Sequence, residues 1–253
     1  MRECAHPVMT PLKRCVFILF LATVVVATAN AAPLQLRPHS ATYKIKVSVL
    51  GGELKTKLLA TDDGYVATHE VTTTGIARML SRGHILESSE FQATGDGIRA
   101  TRYVSKDTLS SEHGNVTIQF DWDATEANGS VNGEEFSTVM QALAHDRISI
   151  QYQLMYDLLN GTGEAQYTMF ELDGMRAVSV RNIGSKTIKV PAGKFVAIGI
   201  RHQAEGSKRA TTLWCAEELG YLPIVIEQHR LDTLKFRATL IEYHPDDAVR
   251  STQ

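Results

Sequence analysis

The chain has 253 residues, with 26 Lys and Arg against 28 Asp and Glu, a formal net charge of −2. That balance offers no basic field for nucleic acid, so nucleic-acid partners are excluded. The length suits one large core, and no Pro-, Gly- or Ser-rich linker or low-complexity tract divides the chain.

In chain order, Arg2, Lys13 and Arg14 precede the apolar run Val16 to Ala27, and Ala29-Asn30-Ala31 follows as a small-residue exit. This is the order of a secretory signal peptide, residues 1–31, cleaved near Ala31. The run is shorter than the ~20 apolar residues of a membrane span. Cys4 and Cys15 lie ahead of the run rather than after it, which argues against a lipid anchor. The expectation is a periplasmic protein with no transmembrane segment after cleavage, residues 32–253 forming a single β-rich envelope domain. That part carries 23 basic and 27 acidic side chains, a formal charge of −4. It has a single cysteine, Cys215, so no intrachain disulfide can form.

Ala41 to Val49 alternates, with Ala41, Tyr43, Ile45, Val47 and Val49 on one face and Thr42, Lys44, Lys46 and Ser48 on the other. A period of two predicts a half-buried strand. Gly51-Gly52 is read as a tight turn, and Leu54 to Ala60 alternates on the return. Asp62-Asp63-Gly64 turns the chain again into Tyr65 to Thr72, giving an antiparallel meander. Gly75 to His84 differs, because Ile76, Met79 and Leu80 form a short apolar stripe at helical spacing with Arg78 and Arg82 opposite. The stripe is read as a packed connecting turn or as a mobile cover over an apolar mouth, and Ile76, Met79 and Leu80 are the candidate ligand-binding residues.

Further strands are expected at Ile85 to Thr94, Ile98 to Lys106 and Asn115 to Trp122. In the last of these Val116, Ile118, Phe120 and Trp122 share a face. Ile148, Tyr152, Met155 and Leu159 then recur at helical spacing, with Asp146 as the expected N-cap and Gly161 as the terminator. This helix is read as a packing plug. After Gly174 come strands at Met175 to Ile183, Lys186 to Val190, Lys194 to Arg201, Thr211 to Ala216, Pro223 to Gln228 and Leu234 to Tyr243. The fold class expected is mainly β, an antiparallel barrel-like or rolled sheet with one inserted helix.

Signatures of chemistry are few. The histidines after residue 31 never fall in a paired ligand spacing, so neither a metal nor another cofactor is expected. His69, His202 and His229 are read as isolated polar residues on solvated strand faces. The pairs Asp62-Asp63, Asp121-Asp123 and Glu217-Glu218 are read as solvated charge. No nucleophile elbow or phosphate loop is present, and Cys215, facing opposite to Trp214, is read as a buried inert thiol.

Two stretches of the C-terminal third carry a resemblance: Thr187-Ile188-Lys189-Val190-Pro191-Ala192-Gly193-Lys194-Phe195, and Leu213-Trp214-Cys215-Ala216-Glu217-Glu218-Leu219-Gly220-Tyr221-Leu222-Pro223-Ile224. Together with Asp146-Arg147-Ile148-Ser149 and Gln153-Leu154, they resemble an uncharacterised bacterial envelope family, domain of unknown function 3108, from about Ala41 to Tyr243. The resemblance implies a periplasmic β domain and no particular reaction, cofactor or catalytic residue. Glu217 stands where the family pattern usually has proline, which predicts a looser turn. From the residues themselves, Pro191-Ala192-Gly193 is a turn between β-rich runs, and Trp214, Tyr221 and Leu222 are core anchors around a second turn.

The function expected is non-enzymatic binding or a chaperone-like role, with an apolar, lipid-like molecule held inside or at the mouth of the rolled sheet. The alternative is a structural or adaptor domain with a filled core that docks on another envelope protein through a strand edge. A hydrolytic enzyme without a recognisable motif is the third reading.

Overall fold

The computed structural model describes residues 33–246, apart from 49, 76, 79–82, 110–113, 141–142, 164–165, 172–173 and 232. Its first arm is β1 (His39–Val47), β2 (Leu50–Thr61), β3 (Gly64–Thr74), β4 (His84–Thr94), β5 (Gly97–Asp107), β6 (Asn115–Asp121), β7 (Glu126–Val131) and β8 (Glu134–Val139). The second begins with β9 (Ala144–His145), α1 (Ser149–Asn160), β10 (Gln166–Glu171) and β11 (Gly174–Val190). It continues with β12 (Gly193–Ala204), β13 (Arg209–Ala216), a 3-10 turn (Glu217–Leu219), β14 (Leu222–Arg230) and β15 (Thr233–Pro245).

All fifteen strands join one sheet in the order β8 to β1, then β15 back to β9. Chain neighbours pair throughout each arm, and the first strand pairs with the last, His39 lying opposite Pro245. The ladders are antiparallel except between β9 and β10, where α1 supplies the crossover a parallel pair requires. The sheet is not closed, because no ladder joins β8 to β9 among the described residues. Side chains bridge the gap instead: Phe136 of β8 stacks on Phe170 of β10 with ring centroids 4.7 Å apart, and β9 lies against β5. The rolled, mainly β architecture with an inserted helix is therefore the one the alternation predicts.

The helix is sealed at both ends. The Asp146 carbonyl accepts from the Ile150 N–H at 3.2 Å. Its carboxylate accepts the N–H groups of Ile148 and Ser149 at 2.7 and 2.9 Å, while Ser149 Oγ accepts the Asp146 N–H. Asp146 thus caps α1 from just ahead of its regular hydrogen bonding. Gly161 closes the helix at φ 63°, a left-handed conformation that suits glycine. Every residue from Ser149 to Asp157 is buried, so α1 is surrounded by sheet. Ile148, Tyr152 and Met155 pack into the main core with Tyr43, Leu58, Phe91 and Ile118. Ile150 and Leu154 pack on the opposite side with Tyr167, Val178, Leu213 and Cys215. A helix buried all round is the plug the sequence predicts.

Several local expectations change. The first hairpin turns beyond Val47, which lies opposite Leu50, with Ser48 at φ 53°, so Gly51 and Gly52 belong inside β2. Gly52 faces Ile45 so closely that a Cβ there would lie 2.9 Å from the Thr72 carbonyl oxygen and 3.3 Å from Ile45 Cβ. Close approach, not turning, is what requires glycine at that position. Met175 to Ile183 and Lys186 to Val190 are one bent strand, β11, whose register slips between Asn182 and Ser185. Val47, expected inside, is exposed because β1 has run past the core by then.

Candidate functional site

Between the inner faces of the two arms, beside the first turn of α1, lies a cavity of about 820 Å³. The first arm contributes Leu54, His69, Val71 and Glu87. The second contributes Met169, His202, Leu213, Ile226 and Phe236 among others, and α1 adds Ile150 and Gln151. Leu54, Ile150, Met169 and Leu213 are buried, which makes the deep part apolar. Lys208, Arg209 and Arg230 are exposed at the rim. The cavity thus changes from apolar to cationic along its depth.

Of the two carboxylates in its wall, Glu87 accepts the Tyr103 hydroxyl and Glu171 pairs with Arg147 at 3.8 Å. His69 and His202, read from the sequence as residues on solvated faces, are in fact wall residues. The sheet rolls those positions inward, and burial holds both rings well below their ordinary value, at about 4. The charge on nearby His39 adds to the effect at His69. Both are neutral at pH 7. His69 Nε2 is enclosed and has no hydrogen-bond partner among the described residues, a rare condition for a buried polar atom.

Ile76, Met79 and Leu80, the ligand-binding candidates, lie outside the described residues. Between them Ala77 and Arg78 are helical, Ala77 buried and Arg78 exposed, and the Arg78 N–H donates to the Gly75 carbonyl at 3.2 Å. Asp121 accepts the Ala124 N–H in a turn, and Glu217 and Glu218 open the 3-10 turn away from the cavity. Among the described residues no three His, Cys, Asp or Glu side chains converge as a metal site. No described helix is long and apolar enough to cross a membrane. Cys215 is wholly buried, and burial pushes its thiol up to about 12. What sequence reasoning missed is which residues line the cavity. Its one local trace is the series Arg209, Thr211, Leu213, which grades from charged to apolar along one face of a strand.

A family model for proteins of unknown function, DUF3108, matches residues 39–239. The chain belongs to this family. The domain's likeness to solved structures is one of fold. A beta-barrel-like protein of domain of unknown function DUF1849 from Brucella abortus superposes with a TM-score of 0.62 at 12% identity, covering 85% of this chain and 100% of that one. A protein with a YmcC-like fold from Bacteroides fragilis gives a TM-score of 0.31 at 11% identity, covering 83% and 97%. No curated protein matches the chain.

The stretches that carry the DUF3108 resemblance are structural here. Trp214 is 8% exposed and lies over Gly199, where a Cβ would come within 2.7 Å of the indole. Its Nε1 donates to Glu227 at 3.3 Å, and Lys186 Nζ sits 3.6 Å from the ring centroid. The following turn is not loosened by Glu217. The Glu217 carbonyl accepts the Gly220 N–H at 2.9 Å, and the Ala216 carbonyl accepts the Tyr221 N–H at 2.8 Å. The two acceptors lock consecutive left-handed residues, Gly220 and Tyr221. Pro191-Ala192 turns β11 into β12 as expected, with Val190 opposite Gly193.

Proposed function

We propose that this protein is an exported, non-enzymatic carrier of the bacterial periplasm, a single envelope domain that holds an apolar, lipid-like molecule between the arms of its sheet. The observation that carries this reading is the cavity of about 820 Å³ with its buried apolar depth. Small-molecule sites typically enclose about 300–1,000 Å³. Export is supported by the leader-like residues 1–31. The non-enzymatic reading is supported by the engagement of both wall carboxylates and by the raised thiol of Cys215. The adaptor reading has one feature in its favour, the outer edge of β8, unpaired among the described residues, but it requires a filled interior and the cavity weighs against that.

Mass spectrometry of the protein purified gently from its native periplasm tests the reading. The expected outcome is a chain beginning near Ala32 with one stoichiometric lipid. A chain that keeps Val16 to Ala27 would sink the export part. A lipid-free protein that takes up no amphiphile after purification would favour the adaptor.

A further inference from the structure

The ladder between β13 and β14 sets three cross-strand pairs in line on the cavity side: Arg209 opposite Arg230, Thr211 opposite Gln228, and Leu213 opposite Ile226. Alternate residues of a strand share a face, so the pairs form one track from rim to depth. Along it the side chains change in one direction, from two guanidinium groups, through a hydroxyl and an amide, to two aliphatic chains. Arg209 to Leu213 spans about 13 Å at ~3.3 Å per residue.

The outermost pair is where the track needs something from outside. Like charges directly opposite on neighbouring strands repel and weaken a sheet. Neither Arg209 nor Arg230 meets a carboxylate among the described residues, and Lys208 adds a third cation beside them. The cavity's own acids are unavailable, Glu87 holding Tyr103 and Glu171 holding Arg147. Two arginines at one cross-strand step can direct their N–H donors to the oxygens of one carboxylate or phosphate. Deeper in, the enclosed and unpartnered His69 Nε2 is a second polar atom without a protein neighbour to satisfy it.

We propose that the cavity takes a single-chain amphiphile whose acidic head group, a carboxylate or phosphate, is clamped by Arg209 and Arg230 while its tail runs past Thr211 and Gln228 to Leu213 and Ile226. The inference rests on the carrier reading and adds the charge and polarity of the cargo. Thr211 and Gln228 meet the polar linkage next to the head group, and the neutral histidine ring adds a hydrogen bond without a charge of its own. Anion binding cancels the repulsion within the arginine pair, so the ligand and the ladder stabilise each other.

Isothermal titration of the purified, delipidated protein decides it, with laurate and dodecyl phosphate as acidic probes, monolaurin as the uncharged probe of equal tail, and acetate and inorganic phosphate as head groups alone. The acidic probes are expected to bind at least tenfold more tightly than monolaurin, and the free head groups not measurably. Raising salt from ~0.05 to ~0.5 M should weaken laurate and leave monolaurin unchanged, since screening acts on the ionic contact alone. The double variant Arg209→Gln/Arg230→Gln should bind laurate no better than monolaurin, keep its monolaurin affinity, and melt at or above the wild-type temperature. Equal wild-type affinities for laurate and monolaurin, or a variant that keeps laurate affinity, overturns the arginine clamp and leaves the carrier reading standing. Phosphate bound as tightly as dodecyl phosphate makes the rim a free-anion site and overturns the amphiphile. Failure of every amphiphile, monolaurin included, overturns the carrier reading itself.

Discussion

His145, in the short strand β9, has no exposed surface, and neither ring nitrogen has a hydrogen-bond partner among the described residues. Its ring meets the Tyr167 ring edge-on at 5.9 Å. Burial lowers its pKa from 6.5 to about 3. The unfolded chain therefore takes up a proton below about pH 6.5 that the folded chain refuses, and stability present above that pH is lost as pH falls towards the folded value. Over pH 7.5 to 5 this residue alone withdraws about 2 kcal/mol, at ~1.4 kcal/mol per unit once protonation of the unfolded state is under way. His39, His69 and His202 act in the same direction. Neighbouring Asp146, whose carboxyl is raised by burial against several opposing hydrogen bonds, acts in the opposite sense. His145→Leu should hold its stability at pH 7.5 and lose about 2 kcal/mol less than wild type on going to pH 5, read by urea unfolding at both pH values. An unchanged difference between the two pH values would show that the ring is not held neutral.

At the scale of elements, α1 depends on polar side chains that sequence periodicity treats as the wet face. Gln153 Oε1 accepts the Ile98 N–H at 2.7 Å, and its Nε2 donates to Asp157 at 2.8 Å. Asp157 also accepts the Tyr167 hydroxyl. One amide thus ties the helix to β5 and steadies a buried carboxylate. Gln153→Leu keeps the bulk but strands a buried N–H and removes a donor from a buried charge, at ~1–3 kcal/mol for each unmet group. We expect a loss of about 3 kcal/mol in chemical unfolding, and a loss under ~1 kcal/mol would show that the amide does not hold the helix. The apolar stripe of α1 could be read from Ile148, Tyr152 and Met155, but nothing local announced that its other faces are covered too. Strands β1 and β6 could be read because one face of each is wet. The hairpin of β7 and β8 was missed because it forms the end of the sheet, where Ala127 is its one buried residue. Its signal was present in Asn132-Gly133, both at positive φ as a two-residue hairpin turn requires. The residues of the cavity wall could not be read, since that wall is assembled from strands of both arms only after β1 has paired with β15.

For the whole molecule, the strand order is the chain order wrapped into a ring with one gap. The Asp246 N–H donates to the Pro38 carbonyl at 2.9 Å, so the two ends of the sheet sequence lie side by side. No ladder spans the 140–143 connection among the described residues. Joining the chain across residues 38 and 246 and opening it within 140–143 should therefore yield a permuted protein with the same far-UV circular dichroism and one cooperative unfolding transition. Opening it instead at Pro191-Ala192, the turn that closes the long ladder of β11 and β12, should cost markedly more stability. Equal stability for the two permutants would mean that the gap is not the weak point of the ring.

The same pairing of first strand with last sets an order in time. Each arm is a meander of neighbours and can form soon after it is made, whereas the ladder between β1 and β15 waits for nearly the whole chain. Until β15 emerges, β1 is a bare edge with Tyr43 and Ile45 uncovered, and the Tyr43 hydroxyl lacks the Pro223 carbonyl that accepts it in the finished fold. A chain made from its N-terminus onward thus spends most of its synthesis with its future centre exposed as its most adhesive surface, and a holding factor would act during that interval.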